Sequence, residues 1–261
     1  MTFLIALSCS VKEDRSPCPC YLNLNIDQAV NDPDYEEGLV TVMTHENMIC
    51  QERVRLSDYE GAGYDVVVPR KLINAMVAVG HEDLWWKSDT LSAATNLEWG
   101  PVRLAGESDL CDADDKRFVM QFHKEYCRMN FILVGVVDVD SYPFDIRIRA
   151  NCNALRLRDR KPVRGRYTAY AVPSNTAMYS VLVPRQEDSE MLVDLLLHKE
   201  SHEYTVDDYV ATIEVGSIMA RQGYNWDKID LDDIYVNIDV LKATCSIGIV
   251  PWDEITVEEV I

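Results

Sequence analysis

The chain has 261 residues, a formal net charge of −19 and 48% apolar residues, enough for a sizeable core in one large sandwich or two ordinary domains. That charge argues against nucleic acid as a partner, because most faces would repel phosphate, and it suits a soluble, exposed chain. No apolar run approaches the roughly 20 residues that a membrane helix needs.

The N-terminal stretch "MTFLIALSCSVKEDRSPCPC" is apolar from Phe3 to Leu7 and turns polar after Ser8-Cys9, at Lys12, Glu13, Asp14 and Arg15. Two readings fit: a short buried strand with a core cysteine, or the tail of a secretion signal ending at a cysteine that takes lipid. No Lys or Arg precedes Cys9. The eight cysteines (Cys9, Cys18, Cys20, Cys50, Cys111, Cys127, Cys152 and Cys245) form no C-x-x-C pair, which disfavours structural zinc. Export would permit disulfides. Cys18-Pro19-Cys20 is too tight to bridge to itself, so any bond runs to a distant residue. Cys127 and Cys245, in apolar strand-like stretches, are expected as free buried thiols.

From Tyr21 onward the dominant signal is period two. In "YLNLNI" Leu22, Leu24 and Ile26 share a face; "LVTVM", "QERVRL", "YDVVV" and "INAMVAV" follow, with a turn at Gly61-Ala62-Gly63. "FDIRIRA" sets Ile146 and Ile148 against Asp145, Arg147 and Arg149, and "LRLRD", "YSVLV", "MLVDLLLH", "DIYVNID", "TCSIGI" and "EITVEEV" complete the set. Such runs, bounded by Gly, Pro, Asn and Asp, are half-buried antiparallel strands and predict an all-β sandwich architecture. The last, "EITVEEVI" after Pro251, is expected to be an edge strand that completes its own sandwich. Helix is predicted at "VGSIMARQG", with Ile218 and Met219 inward and Gly223 as the left-handed stop. A second short turn of helix is expected near "SDTLSAATNLEW", capped by Ser88 or Asp89. The polar "ESDLCDADDK", Glu107 to Lys116, reads as a connection. A boundary near residues 107 to 125 gives two sandwiches, 21–115 and 116–261.

Chemical motifs are sparse. His198, Glu200 and His202 in "HKESHE" imitate a zinc motif, but the Glu is misplaced and the preceding "DLLL" reads as strand. Residues four apart on a strand are about 13 Å apart, too far for one zinc ion. A solvated strand end is the expectation. Asp112, Asp114 and Asp115, and Asp227, Asp230, Asp232 and Asp233, lack the Gly turn and distal Glu of a calcium loop and are expected as solvated loops. No nucleophile elbow or phosphate-binding loop is present, and no metal, cofactor or catalytic residue is predicted. The chain reads as a non-enzyme; a hydrolase would need a carboxylate pair for which there is no positive sign. Trp85, Trp86, Trp99, Trp226 and Trp252 are mostly expected in core or rim packing.

The order of four stretches resembles the fimbrillin-associated anchor and minor-subunit family of type V pili in Bacteroidales. They are "SCSVKEDRSPCPCYLNLNI", "RVRLSDYEGAGYDVVVPR" leading to "AMVAVG", "GSIMARQGYNWDKIDLDDIYVNIDV" and "IVPWDEITVEEVI". The resemblance implies two transthyretin-like antiparallel β-sandwich domains in tandem, preceded in residues 1–20 by a signal remnant, a lipidated cysteine and a spacer. It implies a surface-exposed outer-membrane lipoprotein at a pilus base, or an accessory subunit, with Cys9 acylated and stalk fimbrillins as partners through β-strand addition. Ala6 stands where the family's lipobox usually has Leu. Arg15 is a conceivable cut site, as in stalk fimbrillins; the expected form here is uncut and anchored. The competing expectation is a surface lipoprotein that binds glycans on Tyr64 or one of Trp85, Trp86 and Trp99.

Overall fold

The computed structural model describes residues 18–80, 84–135, 143–175, 177–242 and 244–251. Cys9, Arg15, Trp252 and "EITVEEVI" lie outside these residues. In chain order the first strands are β1 (Cys20–Asn25), β2 (Glu37–Met43), β3 (Met48–Arg55), β4 (Tyr64–Val68) and β5 (Leu72–Val79). A one-turn helix, α1 (Asp27–Val30), follows β1. Next come β6 (Trp85–Lys87), β7 (Thr90–Ser92), β8 (Arg103–Leu110), β9 (Asp115–Val119) and β10 (His123–Lys124). The rest are β11 (Tyr126–Val134), β12 (Phe144–Arg156), β13 (Lys161–Tyr170), β14 (Val172–Asn175), β15 (Met178–Pro184), β16 (Leu192–Leu197), β17 (Tyr209–Ile213), helix α2 (Val215–Arg221), β18 (Asp233–Asp239) and β19 (Thr244–Val250).

The described strands form four sheets, ordered β4-β1-β9, β10-β8-β5-β2-β3, β14-β15-β11-β18-β19 and β17-β16-β12-β7-β6, with β13 also on β12. The alternation in "YLNLNI" does what it predicts: Leu22 and Leu24 are buried, while Tyr21 faces out and Asn23 between the two leucines is half-buried. Their faces meet Val40, Val42, Ala75, Val77 and Phe118 in a core between the first two sheets. The second sheet is buried on its other face too. Leu39, Met76, Ala78 and Leu104 join a larger core with Phe131, Ile146, Ile148 and Tyr167. β2 therefore reads almost continuously apolar, as a strand covered on both faces must.

The all-β reading holds, and four details differ from the sequence expectations. The pairs β1–β9 and β11–β18 are parallel, the remaining pairs antiparallel. The helix expected near Ser88 is instead the hairpin β6–β7, with Ser88 at φ 54 opening a two-residue turn. A positive φ at the first central position suits a hairpin turn and is incompatible with a helix start. "LRLRD" adds no separate strand: β12 runs on through Arg156, and its register against β13 shifts on either side of Cys152. "ESDLCDADDK" is not a simple connection: Glu107 to Leu110 extend β8, and Asp115 and Lys116 open β9. The alternation is invisible there because all the residues from Gly106 to Leu110 are exposed.

The helix at "VGSIMARQG" forms as expected. Met219 is fully buried and Ile218 packs partly against the larger core. Gly223 ends the helix at φ 84, a region where a side chain would be strained. Beyond Asp115, β9 and β10 pair with β1 and β8, and β11 opens the third sheet.

Candidate functional site

Two regions stand out. The first is a pair of facing sheet edges. Among the described residues, β9 pairs with β1 alone, and β10 covers only Arg103 and Leu104 of β8. From Ala105 to Leu110 the outer side of β8 has no strand partner among the described residues. Between these edges lies a groove of about 610 Å3 whose lining includes Gly106, Glu107, Asp109, Lys116, Phe118 and Val119. Lys116 Nζ reaches across it to Asp109 Oδ2 at 2.5 Å. That hydrogen bond holds the Asp109 carboxyl below its usual range and the Lys116 ammonium above its own. Unpaired backbone donors and acceptors along such edges can receive a further strand.

The second region is the turn from β10 to β11. Lys124 Nζ is fully buried, donating to Leu231 O at 3.0 Å and pairing with Asp233. Its backbone N–H donates to Asp230 Oδ1 at 2.7 Å, and His123 Nδ1 lies 3.2 Å from the same carboxylate. Glu125, also fully buried, accepts from Arg185 Nε at 2.9 Å and from Arg160. Burial raises the Glu125 carboxyl above its usual range despite those two guanidiniums. Arg185 in turn donates to the carbonyls of Trp226 and Lys228. Desolvated charge of this kind is tolerable only when paired and hydrogen-bonded.

Several sequence expectations meet this geometry directly. The acidic run from Asp227 is not a merely solvated loop: Asp232 and Asp233 are buried, with Asp232 held by Lys228 at 2.6 Å. No cluster of three or more His, Cys, Asp or Glu able to hold a metal forms among the described residues. His198 and His202 follow β16, as the strand reading predicts. His198 Nδ1 lies 2.9 Å from Asp145 Oδ1, and Tyr204 donates to Asp145 Oδ2 at 2.6 Å. His202 instead stacks on Tyr170 with ring centroids 4.5 Å apart. Burial raises the Asp145 carboxyl, and the hydrogen bonds from Tyr204, His198 and the Lys199 N–H outweigh it, leaving the carboxyl below its usual range.

Among the aromatics, Trp99 is completely buried and its backbone N–H meets Tyr167 Oη at 3.1 Å. Tyr64 is buried with its hydroxyl donated to Glu52. Neither can be a ligand platform. Trp85, 73% exposed on the edge strand β6, can. Cys127 is a buried thiol as expected, and Cys245 is half-buried. The network around Glu125 was not visible in the sequence. Its one local signal was the charged pair Lys124-Glu125 interrupting an apolar stretch; the partners lie 35 to 109 residues away.

These features define a class: an all-β sandwich protein with open strand edges. Solved structures share the fold across most of their length. A candidate polysaccharide-binding protein from Bacteroides thetaiotaomicron superposes with a TM-score of 0.60 at 12% identity, covering 89% of this chain and 95% of that one. The fimbrial anchor protein Mfa2 from Porphyromonas gingivalis gives 0.56 at 11% identity, covering 89% and 97%. A candidate adhesin from Bacteroides ovatus gives 0.56 at 12%, covering 90% and 93%. At such identities the likeness is one of fold. No family profile and no curated protein matches the sequence.

Proposed function

We propose that this chain is a structural fimbrial subunit, the outer-membrane lipoprotein anchor of a pilus or an accessory minor subunit, supporting pilus assembly and cell adhesion. The observation that carries this reading is the fold shared with a fimbrial anchor over 89% of this chain and 97% of that one. In this reading the facing edges of β8 and β9 receive a strand from a stalk fimbrillin. Main-chain hydrogen bonds supply affinity, and side-chain pockets along the groove set register. Acyl chains on Cys9 hold the protein to the membrane, at about 0.8 kcal/mol per buried CH2. In this reading the chain divides into two sandwiches with a boundary near residues 107 to 125.

Two measurements test the proposal. Copurification from native cells is expected to bring down stalk fimbrillin; its absence overturns the subunit role. Mass spectrometry of the native N-terminus is expected to find lipid on Cys9. A cut after Arg15 would detach the lipid and replace the anchor with a released subunit.

A second reading, a glycan-binding surface lipoprotein, is favoured by the exposure of Trp85 beside a 38%-exposed Trp86. Sugar rings stack on such faces. Retention on immobilised glycan that Trp85→Ala abolishes would support it.

A further inference from the structure

Cys20 and Cys111 are far apart in sequence and completely buried in one core. Their chain segments are brought together by several contacts. Tyr21 N–H donates to Asp114 O at 2.8 Å, where β1 and β9 begin to run in parallel. Cys20 is paired with Val68 at the end of β4, and Cys111 N–H donates to Lys71 O at 3.0 Å just beyond that end. Arg70, between Val68 and Lys71, clamps both segments. Its Nε donates to Cys18 O at 3.2 Å, its Nη1 to Asp112 O and its Nη2 to the Asp114 carboxylate. At the centre the two side chains are buried in the same core, close enough for the Cys20 thiol to act on that of Cys111. Burial first, then the neighbouring Cys20, pushes the Cys111 thiol up to about 12.

We propose that Cys20 and Cys111 are a redox site that closes into a disulfide when the chain folds in an oxidising compartment. Both are thiols in the structure. The oxidant is another disulfide, small or protein-borne. One cysteine thiolate attacks it, forms a mixed disulfide and releases one thiol. The second cysteine thiolate attacks the mixed disulfide at the protein sulfur and releases the other thiol. Two protein thiols are thereby oxidised and one external disulfide is reduced to two thiols. Buried thiols that hold their protons react slowly, so the bond forms during folding, before β1 docks, rather than in the finished sandwich.

Of the other described cysteines, Cys18 is exposed, and Cys50 packs against the same core but faces the Tyr64 hydroxyl at 3.8 Å. Cys127 and Cys245 belong to the other core, and Cys152 is buried on β12. The bond would close a loop of about 90 residues, long enough to restrict the unfolded chain strongly. It would also tie the first residue of β1 to the β8–β9 connection. This second consequence rests on the anchor reading: load arriving through a tether N-terminal to Cys18 would enter at β1, and the bond would prevent that strand from peeling away.

The test is refolding of the purified full chain from denaturant in a glutathione redox buffer, then alkylation under denaturing conditions and peptide mass mapping. The expected product is a peptide pair joined through Cys20 and Cys111, with a melting temperature several degrees above that of the reduced chain. Reductant should remove the gain, and C20S and C111S should never show it. If every cysteine alkylates after oxidative refolding, or Cys20 is joined to a different cysteine, the proposal fails. The mapping on the unsubstituted chain decides the matter even if a variant does not fold. It is independent of where the protein resides, so a missing lipid on Cys9 would remove the anchor reading and leave this bond standing.

Discussion

The turn from β10 to β11 and the edges of β8 and β9 are both polar, yet they differ in what their polar groups have left to give. At the turn, Lys124 and Glu125 are fully buried and meet partners from distant segments. At the edges, Lys116 and Asp109 meet across an open groove, while Ala105 to Leu110 pair with β5 on one side and have no strand on the other among the described residues. Charge type does not separate the two regions. Burial and completeness of pairing do. A region whose partners are all internal fixes the relation of the second sheet to the third. A region with free backbone groups is available to another chain.

The sharpest break of that comparison is Glu125→Ala. It leaves Arg185 and Arg160 without their shared carboxylate in a desolvated site. The expected loss is about 3–5 kcal/mol of unfolding free energy, measured by urea denaturation. A loss below about 1 kcal/mol would mean that the turn is as solvated as the edges and that the contrast is false.

Asp194 extends the comparison to the outer sheet. It is fully buried and accepts from Arg149 Nε at 2.7 Å, Arg147 Nη2 at 2.8 Å and Thr212 Oγ1 at 2.8 Å. Burial raises its carboxyl, but the bonds from Arg149, Arg147 and Thr212 prevail and hold it below the usual carboxylate range. A carboxyl depressed in the folded state contributes stability above its unfolded pKa of about 3.9, and that contribution fades as pH falls through the lower folded value. Asp194→Asn is expected to cost about 2–4 kcal/mol at pH 7, with a smaller penalty below pH 4. Equal penalties at both pH values would show that the loss is steric and not ionic.

The same contrast explains what could be read from the sequence. β1, β5 and β16 have at least one apolar face, and their side chains announce it. Met219 and Gly223 mark the α2 helix by position alone. β8 does not read as a strand, and its Glu107 to Leu110 read as a connection, because an exposed edge has no apolar face to betray it. Ser88 was read as a helix cap because Ser favours caps and turns alike; the positive φ that decides between them is not written in the residue type. The pairing of Glu125 with Arg160 and Arg185 is a product of topology, invisible until β13 and β15 are placed beside the turn.

Val119→Lys sharpens the other side. Val119 is 60% exposed on the outer strand β9, so the substitution should change stability by less than about 0.5 kcal/mol. A lysine on an open edge discourages strand addition. In the proposed subunit role, association with stalk fimbrillin, measured by copurification or titration, is expected to weaken at least about tenfold, or about 1.4 kcal/mol. Unchanged association would move the acceptor edge elsewhere, to β19, β14 or β3.

The smallest effect is expected at Trp85. It lies on β6, the far edge of the fourth sheet, where it pairs in register with Ser92. Its ring is mostly in solvent, so Trp85→Ala removes little buried surface and melting should be unchanged within error. β6 is only three residues long, and so short an edge strand offers few positions for strand addition. The β6 edge is therefore a poor acceptor, and fimbrillin association should stay within about twofold of the unsubstituted chain, or about 0.4 kcal/mol. A large loss would enlist the β6–β7 hairpin in assembly. Loss of glycan retention with association intact would give Trp85 a separate duty, because a stacking face requires an exposed ring and no free backbone. The two losses thus report on different physical resources, one on the ring and one on the strand.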